Sequence, residues 1–267
     1  TGVQTCALPI YNFLIRGTSY DNGLILRLLM DRGALTVADP TQGHCVAIDA
    51  RAPKFDGGII TRVDCVSLGI TLNRDCQRFY DEGEDFWPKR YAIWGRLVAQ
   101  QPGQIAYTII DSQAMGAFMP PVFPPLQART LRELAEALKL DPQAMERTVA
   151  EYNAAVRPGE FNHNVLDNCH TEGLAIPKSH WARRIERAPF YAYPLRPGLT
   201  FTYLGVKVDE RSRVCFDDAK KFDNVFAAGE IMAGNIMGKG YLAGLGMAIG
   251  TVFGRIAGKE AAQRARS

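Results

Sequence analysis

The stretch FAAGEIMAGNIMGKGYLAGLGMAIGTVFGRIAGKEAA, residues 226–262, constrains this chain more than any other. The apolar run NVFAAGE reads as a short buried strand ending at Gly229 and Glu230. A turn through Gly234, Gly238 and Gly240 follows, then a long helix from about Tyr241 to Arg264. Gly246, Gly250, Gly254 and Gly258 recur at every fourth position, and each costs about 1 kcal/mol against alanine inside a helix. A stripe of them implies the close approach of a cofactor or another backbone, with tight helix–sheet packing as the alternative for the later ones. Arg255 interrupts the stripe and argues against a membrane GxxxG interface. GKGYLA also fits the G-x-G-x-x-A form of the dinucleotide fingerprint. The second strand and distant acid which that fingerprint needs find no room before Ser267.

The rest of the chain reads as strands mixed with helices. Residues 21–34 have helical apolar spacing and stop at Gly33. Residues 57–73, rich in β-branched side chains, read as strands, as do 103–111 and 190–210. Residues 78–95 mix aromatics with charges and enter a helix near Tyr91. PPVFPP is a stiff loop. Thr130 and Glu133 form a capping box, and Asp141 caps a second helix with Pro142 at its first position. Residues 157–189 are polar and irregular, and their histidines, His163, His170 and His180, read as structural or solvated. The pattern is α+β, an inserted domain whose host domain is only partly present.

Composition narrows the function. The chain has 267 residues, 47% hydrophobic and 22% charged, as expected of an ordinary soluble protein of one or two domains. A net charge of +3 with scattered Lys and Arg leaves no footprint for nucleic acid. No apolar stretch reaches membrane-spanning length without a charge. Cys45, Cys65, Cys76, Cys169 and Cys215 make no CxxC pair, so no metal site or disulfide framework is signalled, and a reducing cytoplasm is expected.

AAGE, the glycine-rich turn and GTVFGRIAG resemble the C-terminal flavin motif of the fumarate reductase and succinate dehydrogenase flavoproteins. IRGTSYDNG, DPTQGHCVAIDARAPKFDGG, RFYDEGEDFWPKRYAIWGRLVAQQPGQ and PLRPGLTFTYLGVKVDE are similar to the FAD-dependent tricarballylate dehydrogenases within that superfamily. The likeness runs from Tyr11 to the end. It implies a substrate-capping domain, mainly residues 11–189, and the closing strand–turn–helix of a Rossmann-like FAD domain, residues 190–267. The earlier part of that domain, with its phosphate-binding glycine loop, lies upstream of Tyr11. Residues 1–10, TGVQTCALPI, back-translate codon for codon to a common DNA-sequencing adaptor and read as a technical scar.

The resemblance implies oxidation of tricarballylate to cis-aconitate, with hydride passing to flavin N5. It places Gly229 and Glu230 beside FAD, the carboxylate accepting from a ribose or ribityl hydroxyl. The backbone amides of Gly244, Leu245, Gly246 and Met247 would favour negative charge on the flavin. Candidate substrate ligands are His44, Arg62, Thr200, Tyr203, Lys239 and Tyr241. Arg90 matches the family's proton-transferring arginine; its pKa, above about 12, restricts it to a relay, with Glu82 or Glu84 passing the proton. Each has a plainer alternative: His44 a core histidine, Arg62 a strand-face cation, the run from Glu82 to Arg90 a solvated charged face. Fumarate reductases have charged residues where Thr200 and Tyr241 stand, which argues against fumarate or succinate as substrate. The family also implies a membrane-associated iron–sulfur partner that reoxidises the flavin, and hence a cytoplasmic protein or one peripheral to the inner membrane. A related flavin enzyme acting on a steroid or other alkene, and a non-catalytic binding module, are the competing readings.

Overall fold

The computed structural model describes residues 12–55, 60–216 and 224–266. In chain order the elements are β1 (Leu14–Ile15), α1 (Leu24–Met30), β2 (Thr36–Val37), β3 (Gly43–Asp49), β4 (Ile70–Leu72), α2 (Trp87–Arg90), α3 (Trp94–Ala99), β5 (Ala106–Asp111), β6 (Leu126–Ala128), α4 (Leu131–Leu138), α5 (Pro142–Ala155), β7 (Val156–Arg157), β8 (His170–Thr171), β9 (Phe190–Thr202), β10 (Gly205–Val206) and α6 (Leu245–Arg266). The fold is α+β. Contacts divide the described chain into two units, one of residues 12–16 and 46–198, the other of residues 17–45 and 199–266.

The first unit is built on an antiparallel sheet in which β5 pairs with both β4 and β9, while β6 also pairs with β9. Every residue of β5 is buried, because both faces of the sheet are covered. Alternation still sorts its side chains. Tyr107 and Ile109 join Ile70, Leu72 and Ala192 under α4 and α5, where Leu134, Met145, Val149 and Tyr152 complete the core. Ala106 and Ile110 face the other way, toward Val66, Leu68, Trp94 and Val98. Helix α4 begins at the expected capping box of Thr130 and Glu133, and α5 at Asp141, whose side chain accepts from the amides of Gln143 and Ala144.

The expected strands over residues 57–73 shrink to β4. Residues 57–59 lie outside the described chain, Arg62 makes one isolated bridge with Ile48, and Val66–Leu68 forms a 3-10 turn. The turn is closed by Gly69, where a Cβ would stand 2.1 Å from the Ile109 carbonyl oxygen. Val66, Ser67 and Leu68 are all buried within this turn, and the ladder with β5 begins only after Gly69, at Ile70.

In the second unit β2 and β10 form a short antiparallel pair, Val37 opposite Gly205 and Thr36 opposite Val206. Its core gathers Tyr203, Val206, Val214, Met232, Ala233, Met237 and Ile249. The strand expected at NVFAAGE is not formed. Val225 accepts from the Val214 amide, Phe226 bridges Arg213, and the chain then winds into a 3-10 helix, Gly229–Asn235. Asn235 holds that turn, donating to the carbonyls of Val206 (2.8 Å) and Met232 (2.7 Å). Helix α6 follows, starting four residues later than the spacing suggests. Its only buried residue is Ile249. Nothing in the described chain lies within 4 Å of a Cβ built on Gly250, Gly254 or Gly258, so no neighbour there makes the close approach the glycine stripe implies.

Candidate functional site

The second unit brings four of the expected ligands together. His44, on β3, is buried, with Nδ1 2.8 Å from Thr200 Oγ1. Its ring stacks on Phe201 at 5.5 Å and meets the edge of Tyr241 at 4.3 Å. Tyr203 lies beneath, wholly buried, with its hydroxyl donating to the Gly240 carbonyl. Tyr241 Oη accepts the Gly246 amide at 2.9 Å and so caps the start of α6. This amide is thus engaged by a phenol, where the sequence suggests one open to the flavin. Phe201 is a member of the cluster that sequence reasoning missed. Strand alternation hides it, since Phe201 and Thr200 are adjacent yet both touch the imidazole.

Glu230, Lys239 and Met247 stand exposed beside this cluster in the chain but outside it. Desolvation, and then the charge of Asp21, raise the Glu230 carboxyl above its ordinary range although the residue as a whole is open to water. Gly229, Gly240 and Gly244 all take positive φ, and none has an atom within 4 Å of where a Cβ would stand. Open glycines therefore stand at both ends of the segment that runs from Glu230 to the start of a 22-residue helix, while Met232, Ala233 and Gly234 between them are packed. That donor set fits the flavin end of FAD: a carboxylate for hydroxyls, a surface a flat ring can approach, and a positive helix terminus.

The first unit holds the remaining three residues, each in its own network. Arg62 grips Asp64 with two bonds of 2.6 and 2.8 Å and lies over the Tyr91 ring at 4.5 Å. Asp64 also accepts the Trp87 indole at 2.7 Å. Glu82 is sealed from solvent. Its oxygens accept the Thr71 amide (2.8 Å) and Arg78 Nε and Nη2 (3.1 and 2.5 Å). Arg90, the last residue of α2, is 2.9 Å from Glu84 and 3.8 Å from Asp85. Glu84 in turn accepts the Tyr80 hydroxyl at 2.6 Å. Desolvation, then the bond to Glu84, push that phenol up to about 12, so it stays a donor throughout the physiological range. The carboxylate beside Arg90 is therefore Glu84; Glu82 is turned inward onto Arg78. Both sit in one acidic run, and the sequence offers no signal that separates them.

The loop histidines are bound into the same unit. His163 meets Ser67 Oγ at 3.0 Å, and His180 Nδ1 meets the Asp167 carbonyl at 2.5 Å, while His170 is exposed beside Glu172. No helix among the described residues is long and apolar enough to cross a membrane.

Comparison with known proteins finds relatives among FAD-binding proteins. The family model described as FAD binding domain matches residues 31–246. A probable fumarate reductase of Shewanella frigidimarina is 30% identical over 201 residues, 73% of this chain and 31% of its own length. An NADH:acrylate oxidoreductase of Vibrio harveyi is 35% identical over 136 residues, 51% of this chain and 12% of that protein. The chain thus spans a third or less of these relatives. Among solved structures, the open conformation of a flavocytochrome c3 fumarate reductase superposes with a TM-score of 0.67 at 22% identity, covering 97% of this chain and 43% of that one.

Proposed function

The chain belongs to the FAD binding domain family, with FAD as its cofactor, and we propose that it works within a flavin-dependent CH–CH oxidoreductase whose substrate is tricarballylate. Bound FAD would accept a hydride from the substrate. Gly229, Glu230 and the residues from Gly244 to Met247 are the ones that would hold its flavin end. The reading assigns the capping role to residues 11–189 and the closing flavin segment to residues 190–267.

The observation that carries the substrate reading is the polar cluster of His44, Thr200 and Tyr241. A histidine hydrogen-bonded to a threonine and edged by a tyrosine offers ring N–H and hydroxyl donors to a carboxylate without placing a second fixed cation beside it. Lys239, exposed on the loop before it, is the cation for a further carboxylate. Arg90 is assigned the relay of the proton from the carbon next to the hydride donor, giving up one N–H proton toward Glu84 as it takes the substrate's. Arg62 is assigned a substrate carboxylate through the guanidinium N–H groups that Asp64 does not take. Electrons leave, in this reading, to a membrane-associated iron–sulfur partner, and the enzyme works in the cytoplasm or at the inner face of the membrane.

The test is anaerobic mixing of the FAD-loaded full-length enzyme with tricarballylate or succinate. Tricarballylate is expected to bleach the flavin and yield cis-aconitate, and succinate to leave it oxidised. Bleaching by succinate alone, or by neither acid, overturns the substrate reading.

A further inference from the structure

The surroundings of Arg90 point beyond its own assignment. Glu84 Oε2 accepts the Tyr80 hydroxyl (2.6 Å) and lies 2.9 Å from Arg90 Nε as an ion pair, without a hydrogen bond from that buried nitrogen. Tyr80 is itself braced, its ring lying edge-on to Trp94 at 5.9 Å, and Trp94 is buried. Trp94 also backs Trp87 (6.5 Å), the residue that opens the helix ending in Arg90, and the Trp87 indole is pinned to Asp64. The helix that ends in Arg90 and the carboxylate its guanidinium pairs with thus both trace back to one aromatic anchor. The Arg90 and Glu84 side chains remain about a third exposed, at 32% and 36%, so the held guanidinium still reaches outward. Glu82 has no such access. Asp85 offers Arg90 a second carboxylate at 3.8 Å, itself shared with Lys89 at 3.2 Å. Without Glu84 the guanidinium has a ready alternative direction in which to turn.

We propose that Tyr80 and Glu84 form a positioning pair that aims Arg90 for its proton-handling role, and that Glu82 takes no part in that aim. The inference rests on the reading of Arg90 given above. An exposed ion pair contributes little to stability, typically below about 1 kcal/mol, so the pair's value lies in orientation. Misplacing a reacting group by about 1 Å can cost roughly a hundredfold in rate. Because Tyr80 acts through Glu84, the two substitutions are expected to be non-additive.

The experiment measures flavin reduction by tricarballylate in the FAD-loaded full-length enzyme and in the variants Glu84→Gln, Tyr80→Phe, their double, Glu84→Asp and Arg90→Gln. The expected result is a fall of about tenfold or more in the rate constant of reduction for Glu84→Gln, with substrate affinity changed less than about twofold. Tyr80→Phe should show a smaller fall that disappears in the Glu84→Gln background, and Glu84→Asp a partial recovery. Thermal melts should coincide. Rates for Glu84→Gln within twofold of wild type, while Arg90→Gln is inactive, overturn the positioning pair and leave the role of Arg90 standing. A near-normal rate for Arg90→Gln removes the reading on which the pair depends. An activity-free readout covers a variant that loads flavin poorly. The 15N resonances of the Arg90 guanidinium should move between the wild type and Glu84→Gln, where the 2.9 Å ion-pair contact is changed, and coincident resonances overturn the pair.

Discussion

Lys178 carries its side chain into the first unit with no exposed surface. Its Nζ donates to the carbonyls of Ser67 (2.8 Å) and Gly69 (2.6 Å), tying down the 3-10 turn that leads into β4. Desolvation lowers its pKa to about 8, with Glu82 opposing that shift and Arg78 adding to it. A neutral amine keeps two N–H bonds, enough for both carbonyls, so deprotonation need not break the anchor. The ordinary value is 10.5, and the unfolded chain therefore binds a proton between about pH 8 and 10.5 that the folded chain has released. Where the unfolded state holds more protons, stability rises with pH. The contribution is smallest below pH 8, grows through that window and is complete above it. Its full size is on the order of 3 kcal/mol. Urea unfolding of the wild type should thus show a more favourable pH slope between 7.5 and 9.5 than Lys178→Met. The variant should also be less stable overall, because two buried carbonyls lose their donor at about 1–3 kcal/mol each. Parallel slopes in the two proteins would show that the amine is charged in the fold. No sequence signal marks this lysine. It sits in a polar loop more than a hundred residues from the turn it holds.

At the scale of the element, the first unit contains both a helix start that the sequence specifies and a turn that it conceals. Asp141→Ala removes the acceptor for the Gln143 and Ala144 amides and is expected to cost about 1 kcal/mol. Gly69→Ala drives a methyl to 2.1 Å from the Ile109 carbonyl oxygen, which belongs to the backbone of β5 and has no rotamer through which to withdraw. Its cost should exceed that of the cap, reaching about 1–3 kcal/mol or more. Chemical denaturation of the two variants side by side checks the order, and a milder effect at Gly69 would mean that β4 and β5 can part locally. The comparison also shows what could be read in advance. The capping box at Thr130 and the Asp141–Pro142 start were legible because both ends of each interaction lie within three residues. The strands expected over residues 57–73 and at NVFAAGE were not. A short apolar run has no periodicity to distinguish ladder from turn, and its outcome depended on neighbours far along the chain: β5 for Gly69, residues 212–214 for Phe226. The site divides in the same way. His44 could be singled out from its sequence surroundings, whereas its partner Thr200 is 156 positions away. Choosing between Glu82 and Glu84 required knowing which of them Arg78 holds.

For the molecule as a whole, the second unit exposes much apolar surface for its size. Leu24, Ile25 and Leu28 of α1 are 58%, 61% and 40% exposed, and Met247 and Val252 of α6 are 80% and 53% exposed. A helix of 22 residues with a single buried side chain draws little stability from packing. The glycine loop that would receive the flavin is equally open, and the Gly246 amide at its end is occupied by Tyr241. FAD entering here could gain the carboxylate of Glu230 and one face of the loop. Its diphosphate needs a glycine loop and helix start of its own, a role separate from the one proposed for residues 229–247. Micromolar affinity requires about 8 kcal/mol of net binding free energy, more than an open loop with one half-engaged helix terminus is expected to supply. Titration of the purified chain with FAD, followed by flavin fluorescence and gel filtration, should accordingly show no stoichiometric binding at sub-micromolar concentration. Tyr241→Phe frees the Gly246 amide by removing the hydroxyl that caps it, and should alter the weak flavin binding that remains without making it tight. A stable monomer that takes up one FAD at sub-micromolar concentration would mean that this chain closes its own cofactor site.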